Sequence, residues 1–523
     1  MRSACVPVLV MAVWLGGVGG AEAQRTRPER TAYRETSSYA DVMDFLRRVT
    51  AGSTRLHLTT YGYTLEGRAL PLVVVGRVAN ATPEAVKASG RVRVFIQGNI
   101  HAGEVEGKEA AQELLRALAG GAHAPWLDSL VILVAPIYNA DGNERVRLTN
   151  RPLQYGPVGG MGQRPNAQGL DLNRDHMKLE SPEARSFVSL LNRYDPHVVI
   201  DLHTTNGSIH GYHLTYAPPL HPNTDSAIVR LLRDDWLPAV TRAIKRRDGW
   251  DFYHYGNFPS PRDSVERGWY SFDHRPRFNN NYVGLRNRFV ILSEAYSYAT
   301  FEDRIRATYR FLEEILDYAQ GHARAIRRLV AAADSAAPQA VGRELALRAE
   351  LERGPDSVAI LVGEVAEERH PYTGERTLRR LEVRRPERMP VYLSFRATES
   401  ARAPAAYYVP AELTRVAALL EAHGVRLERL AQAETRAVER FAIDSQTVAA
   451  GEFQGHRERT VYGRWERTEA TLPAGTVVVA VRQPLGRLAF TLLEPRSDDG
   501  VADWNILDDV LKDARSYPIL RGN

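Results

Sequence analysis

Four short apolar runs constrain the fold of this chain more than any other feature: Val92–Gln97, Leu130–Pro136, His197–His203 and Phe289–Ala295. Each is dense in Val, Ile, Leu or Phe with little polar alternation, the pattern of strands buried on both faces. Segments with helical spacing lie between them. Glu104–Leu118 follows the first run, and a segment that opens on Ser181-Pro182-Glu183 and ends near Tyr194 precedes the third, with Ser as cap and Pro in the first turn. Strands and helices in this order predict an α/β fold, a doubly wound mixed sheet flanked by helices. Leu56–Tyr61 and Leu70–Val75, joined through Glu66-Gly67, read as a hairpin at its edge. Tyr39–Thr50 reads as a short amphipathic helix, Thr224–Lys245 as mostly helical, Asp248–Asn287 as a long functional loop and Glu302–Ala333 as one long helix.

A chain of 523 residues with 44% hydrophobic content is large enough for two or three domains with buried cores. Met1-Arg2, the apolar run Val8–Val18 and the small-residue ending Ala21-Glu22-Ala23 fit a signal peptide over residues 1–23. That run is shorter than the roughly 20 residues needed to span a bilayer, so the expectation is a secreted or periplasmic protein with no stable membrane anchor after signal cleavage. Residues 24–36 are polar and Arg-rich and read as a disordered N-terminus, residues 37–334 as the α/β domain. Residues 335–523, with strand-like runs and one helix at Ala411–Ala422, read as a β-rich accessory region of one or two small domains.

The single cysteine, Cys5, lies inside the leader. A mature chain without thiols has no disulfide, no Cys nucleophile and no thiolate ligand, so any metal must be held by His, Asp and Glu. The net charge of +5 comes from Arg scattered among Glu, not from basic blocks with interleaved aromatics, which argues against nucleic-acid binding. His101 and Glu104 stand three residues apart in Gly98-Asn99-Ile100-His101-Ala102-Gly103-Glu104, where the first buried strand ends. They can face one cation from the same side, and a catalytic Zn²⁺ site needs a third protein ligand. In open α/β sheets the ligand site lies beyond the carboxyl ends of the strands. His101, His203 and Glu294 each end a predicted strand, so all three can converge on one crevice. The bland alternatives are a hydrogen-bonded core histidine for His203 and a buried ion pair with Arg286 or Arg288 for Glu294. His370, His423 and His456 read as surface histidines.

Over about residues 38–320 the chain resembles the zinc metallocarboxypeptidases of the carboxypeptidase A type, through His101-Ala102-Gly103-Glu104, Asp171-Leu172-Asn173-Arg174, the strand ending at His203, and Glu294. The resemblance implies one Zn²⁺ per chain bound by His101, Glu104 and His203, with Glu294 as general base. It implies that Asn173 and Arg174 hold the substrate's terminal carboxylate and that Asp171 orients the first zinc histidine. Arg164-Pro165-Asn166-Ala167-Gln168-Gly169 is similar to the Arg-x-Asn-x-x-Gly run of the regulatory-type branch, in which the Arg stabilises the developing oxyanion. The family's substrate-capping tyrosine is expected at Tyr282, with Tyr270 as second candidate. The implied activity is a secreted hydrolase that removes C-terminal residues from peptides with a free C-terminal carboxylate. The alternatives are a zinc amidohydrolase acting on peptidoglycan stem peptides or N-acyl amino acids, and a non-catalytic binding module.

Overall fold

The computed structural model describes residues 24–205, 207–260 and 262–522; the leader expected over residues 1–23, with Cys5, lies outside them. Eight strands build the central sheet: β1 (Leu56–Tyr63), β2 (Ala69–Val75), β3 (Val92–Gly98), β4 (Leu130–Ala135), β5 (Val198–Thr204), β6 (Leu214–Ala217), β7 (Phe252–His254) and β9 (Phe289–Ala295). A two-residue strand before the last of these, β8 (Trp269–Tyr270), belongs to another sheet. The order is β1-β2-β4-β3-β5-β9-β6-β7. Strands β4, β3, β5 and β9 run parallel in the middle, while β1, β2 and β6 introduce antiparallel pairs.

The chain leaves β3 for β4 on one side and returns to β5 on the other, so the sheet has its topological switch between β3 and β5. Loops leaving neighbouring strands in opposite directions open a crevice there. The two-residue side-chain period divides the strands between two cores. Phe95, Leu133, Val199 and Val290 face a layer formed by the helix Pro182–Tyr194 and part of the C-terminal region. Val94, Ile132, Ile200 and Ile291 face the helices Tyr39–Thr50, Glu106–Ala119, Leu237–Asp248, Phe301–Gly321 and Ala323–Ala336.

The residues after 335 are β-rich, as expected, but their core is continuous with that of the α/β part. Phe187, Leu191 and Val283 belong to the same apolar cluster as Val416, Leu420 and Trp504. Strand β8 pairs in parallel with Arg385–Tyr392, so the long loop before β9 contributes to a sheet of the C-terminal region.

Three expectations are corrected. Residues 24–36 are ordered: Thr26 and Pro28 are buried, Arg27–Arg30 form a helical turn, and the Thr36 hydroxyl donates to Glu109 at 2.8 Å. The reason lies in buried charges on the helix Glu106–Ala119. Glu109 accepts from the backbone N and the Oγ of Ser37 at 2.8 and 2.7 Å, Lys108 donates to the Ser37 carbonyl, and Arg116 pairs with both oxygens of Glu29 at 2.6 and 2.7 Å. The predicted helix Glu302–Ala333 is two helices, divided at Gly321-His322, where the His322 backbone leaves helical geometry. Glycine is a poor helix residue, and the His322 ring stacks on Tyr318 with centroids 3.8 Å apart. His370, His423 and His456 are buried, not surface residues. His423 bridges the Tyr282 hydroxyl and the Met177 carbonyl, His456 bridges Glu180 and Asn505, and His370 accepts from the Tyr372 and Thr373 amides of a turn.

Gly107 sets the distance between the helix Glu106–Ala119 and β5. A Cβ at that position would lie 2.5 Å from the Leu202 Cβ, an atom fixed to the strand. Gly107→Ala is expected to destabilise the protein by about 1–3 kcal/mol through overpacking, measured by urea unfolding.

Candidate metal centre and substrate cavity

The site is assembled by the turn that leaves β3. Asn99 takes the left-handed conformation (φ 68°), which Asn tolerates better than most residues. Its Nδ2 donates to the Ala102 carbonyl, and Asn139 after β4 donates from Nδ2 to the carbonyls of Ile100 and Arg164. The Asn139–Gly142 turn thus ties the β3 turn to the loop that carries Arg164. The helix beginning at Glu106 follows at once, so Glu104 projects back toward the end of β5.

Glu104 lies between the two imidazoles. His101 Nδ1 is 3.0 Å from Glu104 Oε1, and His203 Nδ1 is 3.0 Å from Glu104 Oε2. The far nitrogens are held by acids: His101 Nε2 by Asp171 Oδ1 at 3.0 Å and His203 Nε2 by Asp201 Oδ2 at 2.8 Å. Both rings therefore present Nδ1 inward. One ligand atom from each of His101, Glu104 and His203 falls within 4.8 Å of the others, and among the described residues this is the only such group of His, Cys, Asp or Glu. Two imidazole nitrogens and a carboxylate, with carboxylates orienting the rings from behind, suit Zn²⁺ with an open coordination position.

The electrostatics fit that use. Burial opposes ionisation of Glu104, but His101 and the Arg151 guanidinium outweigh it and hold its carboxyl well below the usual range. Arg151 bonds Glu104 Oε1 at 3.0 Å and the carbonyls of Thr204 and Thr205. Burial alone would lower the pKa of His203, yet Asp201 and Glu104 raise it well above the ordinary value. Glu294, the Cα register partner of His203 across β5 and β9, is pushed up to about 8 by burial and by the neighbouring Glu104. A divalent cation between His101 and His203 would act in the opposite direction.

These residues open into a cavity of 440 Å³ that is also lined by Arg164, Asn173, Arg174, Tyr255, Phe272, Asp273, Phe278 and Asn280. Asp171 N-caps the short turn Leu172–Arg174 by accepting from the Asn173 amide at 2.9 Å, and its Oδ2 accepts from Arg164 Nε at 2.9 Å. The Arg174 guanidinium lies 3.9 Å over the Phe278 ring. Asn173 Oδ1 accepts from the Asn279 amide at 2.8 Å.

The predicted site residues His101, Glu104, Arg164, Asp171, Asn173, Arg174, His203 and Glu294 are thus gathered at one place. Tyr282 is not. It is fully buried on the helix Asn279–Leu285, and its hydroxyl contacts His423 and Arg286. Tyr270 is also outside the cavity, stacked on Tyr392 at 4.2 Å. The tyrosine that lines the cavity is Tyr255, just after β7, whose hydroxyl accepts from Asn257 Nδ2 at 3.1 Å. Burial and the nearby Glu294 raise its pKa, so it stays a donor. Arg286 and Arg288 are engaged elsewhere, Arg288 by Asp195 and Asp334, and neither pairs with Glu294. Sequence reasoning does not single out Arg151, Asp201 or Tyr255. Only Asp201 carries a signal, two residues before His203 and so on the same strand face.

Residues 42–258 match the family profile described as zinc carboxypeptidase. The chain carries a zinc carboxypeptidase domain. Carboxypeptidase 2 of Trichophyton tonsurans is 24% identical over 480 residues, covering 87% of this chain and 81% of that protein. Carboxypeptidase 2 of Trichophyton rubrum is 23% identical over 499 residues, covering 91% and 85%. Among solved structures, a metallo-carboxypeptidase from Burkholderia cenocepacia aligns with a TM-score of 0.40 at 18% identity, over 55% of this chain and 69% of that one. Over the matched residues the chain is thus similar to metallocarboxypeptidases, which are hydrolases. The Asp201 contact gives a direct test of the metal centre: Asp201→Asn is expected to lower zinc affinity by about 10- to 100-fold, measured by competition with a chromogenic chelator.

Proposed function

We propose that this zinc carboxypeptidase domain cleaves the C-terminal peptide bond of peptides, with His101, Glu104 and His203 holding Zn²⁺ and Glu294 as general base. What carries the reading is the shared cavity, in which the metal-type triad, one unpaired carboxylate and the Asn173–Arg174 pair face the same space. Bound Zn²⁺ supplies a Lewis acid that polarises the scissile carbonyl and acidifies water at neutral pH. The chain's own groups do the rest. Glu294 takes a proton from the attacking water and delivers it to the departing nitrogen, a shuttle that needs no covalent intermediate. Arg164, held by Asp171 and partly exposed to the cavity, directs its remaining donors at the oxyanion that develops on the carbonyl.

Arg174 binds the terminal carboxylate of the substrate. Its plane is fixed against Phe278, and its Nη1 is anchored on the Asn173 carbonyl at 2.6 Å. Asn173 assists with its amide nitrogen, since its oxygen is engaged by Asn279. A preset guanidinium recognises carboxylate geometry as well as charge, which restricts cutting to a chain end. Tyr255 takes the place expected of Tyr282 as the tyrosine whose hydroxyl meets the substrate. Export, secreted or periplasmic, is supported by the leader-like residues 1–23. No helix among the described residues is long and apolar enough to cross a membrane.

Mass spectrometry of peptide digests with and without chelator tests the reading: stepwise loss from the C-terminus, abolished by chelator, is expected, and trimming from the other end or cleavage only of internal or non-peptide amides would overturn it. Glu294→Gln should retain zinc stoichiometrically while turnover falls by about 10²–10⁴-fold, as read by metal analysis and steady-state kinetics on one preparation. Arg174→Ala should lower kcat/KM for free-carboxylate peptides by about 10- to 100-fold while hydrolysis of the matching C-terminal amides changes little.

A further inference from the structure

The segment Asp171–Arg174 is held on both flanks by the C-terminal region. On one flank, the backbone N of Asp171 donates to Gln454 Oε1 at 2.8 Å. Gln454 belongs to the loop between the strands Glu434–Val448 and Arg459–Leu472. On the other, Arg277 packs beside the stacked rings of Phe453 and Trp504, its guanidinium 5.1 and 4.4 Å from their centroids, and bonds Asp499 at 2.6 Å and Glu458 at 2.7 Å. The next two residues carry that anchorage into the cavity. Phe278 stacks under Arg174, and the Asn279 amide donates to Asn173.

The conformation of Gln454 sharpens the point. Phe453 and His456 exchange backbone hydrogen bonds at 2.7 and 3.0 Å, so Gln454-Gly455 is a two-residue turn, and both residues have positive φ, 52° and 78°. Such a turn favours Asn, Asp or Gly at its first position. A longer, unbranched amide in the left-handed region costs about 1 kcal/mol. What Gln adds over Asn is one methylene of reach, and that reach ends on the Asp171 amide.

We infer that Gln454 is a positioning residue of the metal centre: the C-terminal region, through its hairpin tip, sets the height of Asp171 and thereby the orientation of His101. The inference rests on the reading of Asp171 as the acid that holds the His101 ring. It gives the β-rich region a part in the chemistry of a cavity it does not itself line.

Zinc affinity of the full-length protein, measured by chelator competition, tests it without reference to the substrate. Gln454→Asn suits the turn better but is too short to reach Asp171. It is expected to unfold at the same or a higher temperature and yet to bind zinc about 3- to 10-fold more weakly, a diluted form of the effect of losing a direct partner of a metal-binding histidine. Gln454→Glu keeps an acceptor oxygen at full reach and is expected to restore affinity to within about twofold of wild type. A purely structural turn residue predicts the reverse for Gln454→Asn, better stability and unchanged zinc binding, and that result would overturn the inference. So would equal losses in the Asn and Glu variants. Asp171→Asn separates the two levels: weaker zinc binding there, with none in Gln454→Asn, removes Gln454 and leaves the site reading intact, whereas unchanged zinc binding in Asp171→Asn removes both.

Discussion

Everything in this site depends on one carboxylate placed between two imidazoles. Glu104 contacts both inward nitrogens at 3.0 Å and is itself buried at the floor of the cavity. Buried ionisable groups are costly unless each is paired, and each member of the triad His101, Glu104 and His203 is. Asp171 and Asp201 fix the outer nitrogens, Arg151 supplies a positive charge to Glu104, and Thr204 donates its backbone amide to Glu104 at 3.1 Å. The tautomers follow from these partners: with Nε2 committed to an acid, Nδ1 is the atom each ring has free for a cation.

The surroundings make that arrangement rigid. Gly107 brings the helix Glu106–Ala119 against β5, and Glu106 in the same turn meets the fully buried Arg304 at 3.3 Å and accepts from the Thr204 hydroxyl. Arg304 in turn donates to four backbone carbonyls around Tyr155–Gly156 and Ser297–Ala299. The cation side of the site is thus framed by groups that cannot be displaced without exposing a buried charge. The ordered N-terminal segment belongs to the same frame, because Lys108 and Glu109 find their partners on Ser37. The substrate side is framed from the C-terminal region, whose core is continuous with the helix Pro182–Tyr194. The candidate cavity is therefore a property of most of the chain, not of the matched residues 42–258 alone.

The central sheet and the candidate metal-binding residues at its strand ends were legible because both are written locally. Unbroken apolar runs identify strands buried on two faces, and a polar residue at the end of each run identifies the edge where a ligand can sit. Long-range partners were not legible. Residues 24–36 look like disorder until Glu109 and Arg116 of a distant helix are seen to bind Thr36 and Glu29. His423 looks like a surface residue until the Tyr282 hydroxyl and the Met177 carbonyl close around it. The misplacement of Tyr282 has the same origin. Between β7 and β9 the chain makes a two-residue strand for another sheet and then a short helix, so distance along the sequence says nothing about which tyrosine faces the cavity.

The sequence by itself determined the α/β sheet with its buried strands, and, through a single cysteine at Cys5, that the residue types available to bind a metal are His, Asp and Glu. Those follow from side-chain period, propensity and composition, which act over a few residues at a time. Only the tertiary structure decided which nitrogen each histidine turns inward, which tyrosine reaches the cavity, that Arg151 pairs with Glu104, and that a glutamine nearly three hundred residues away touches the backbone of Asp171. Such pairings are chosen by the burial of charges and hydrogen-bonding groups in a shared low-dielectric interior, and no local pattern records which distant residue will satisfy them.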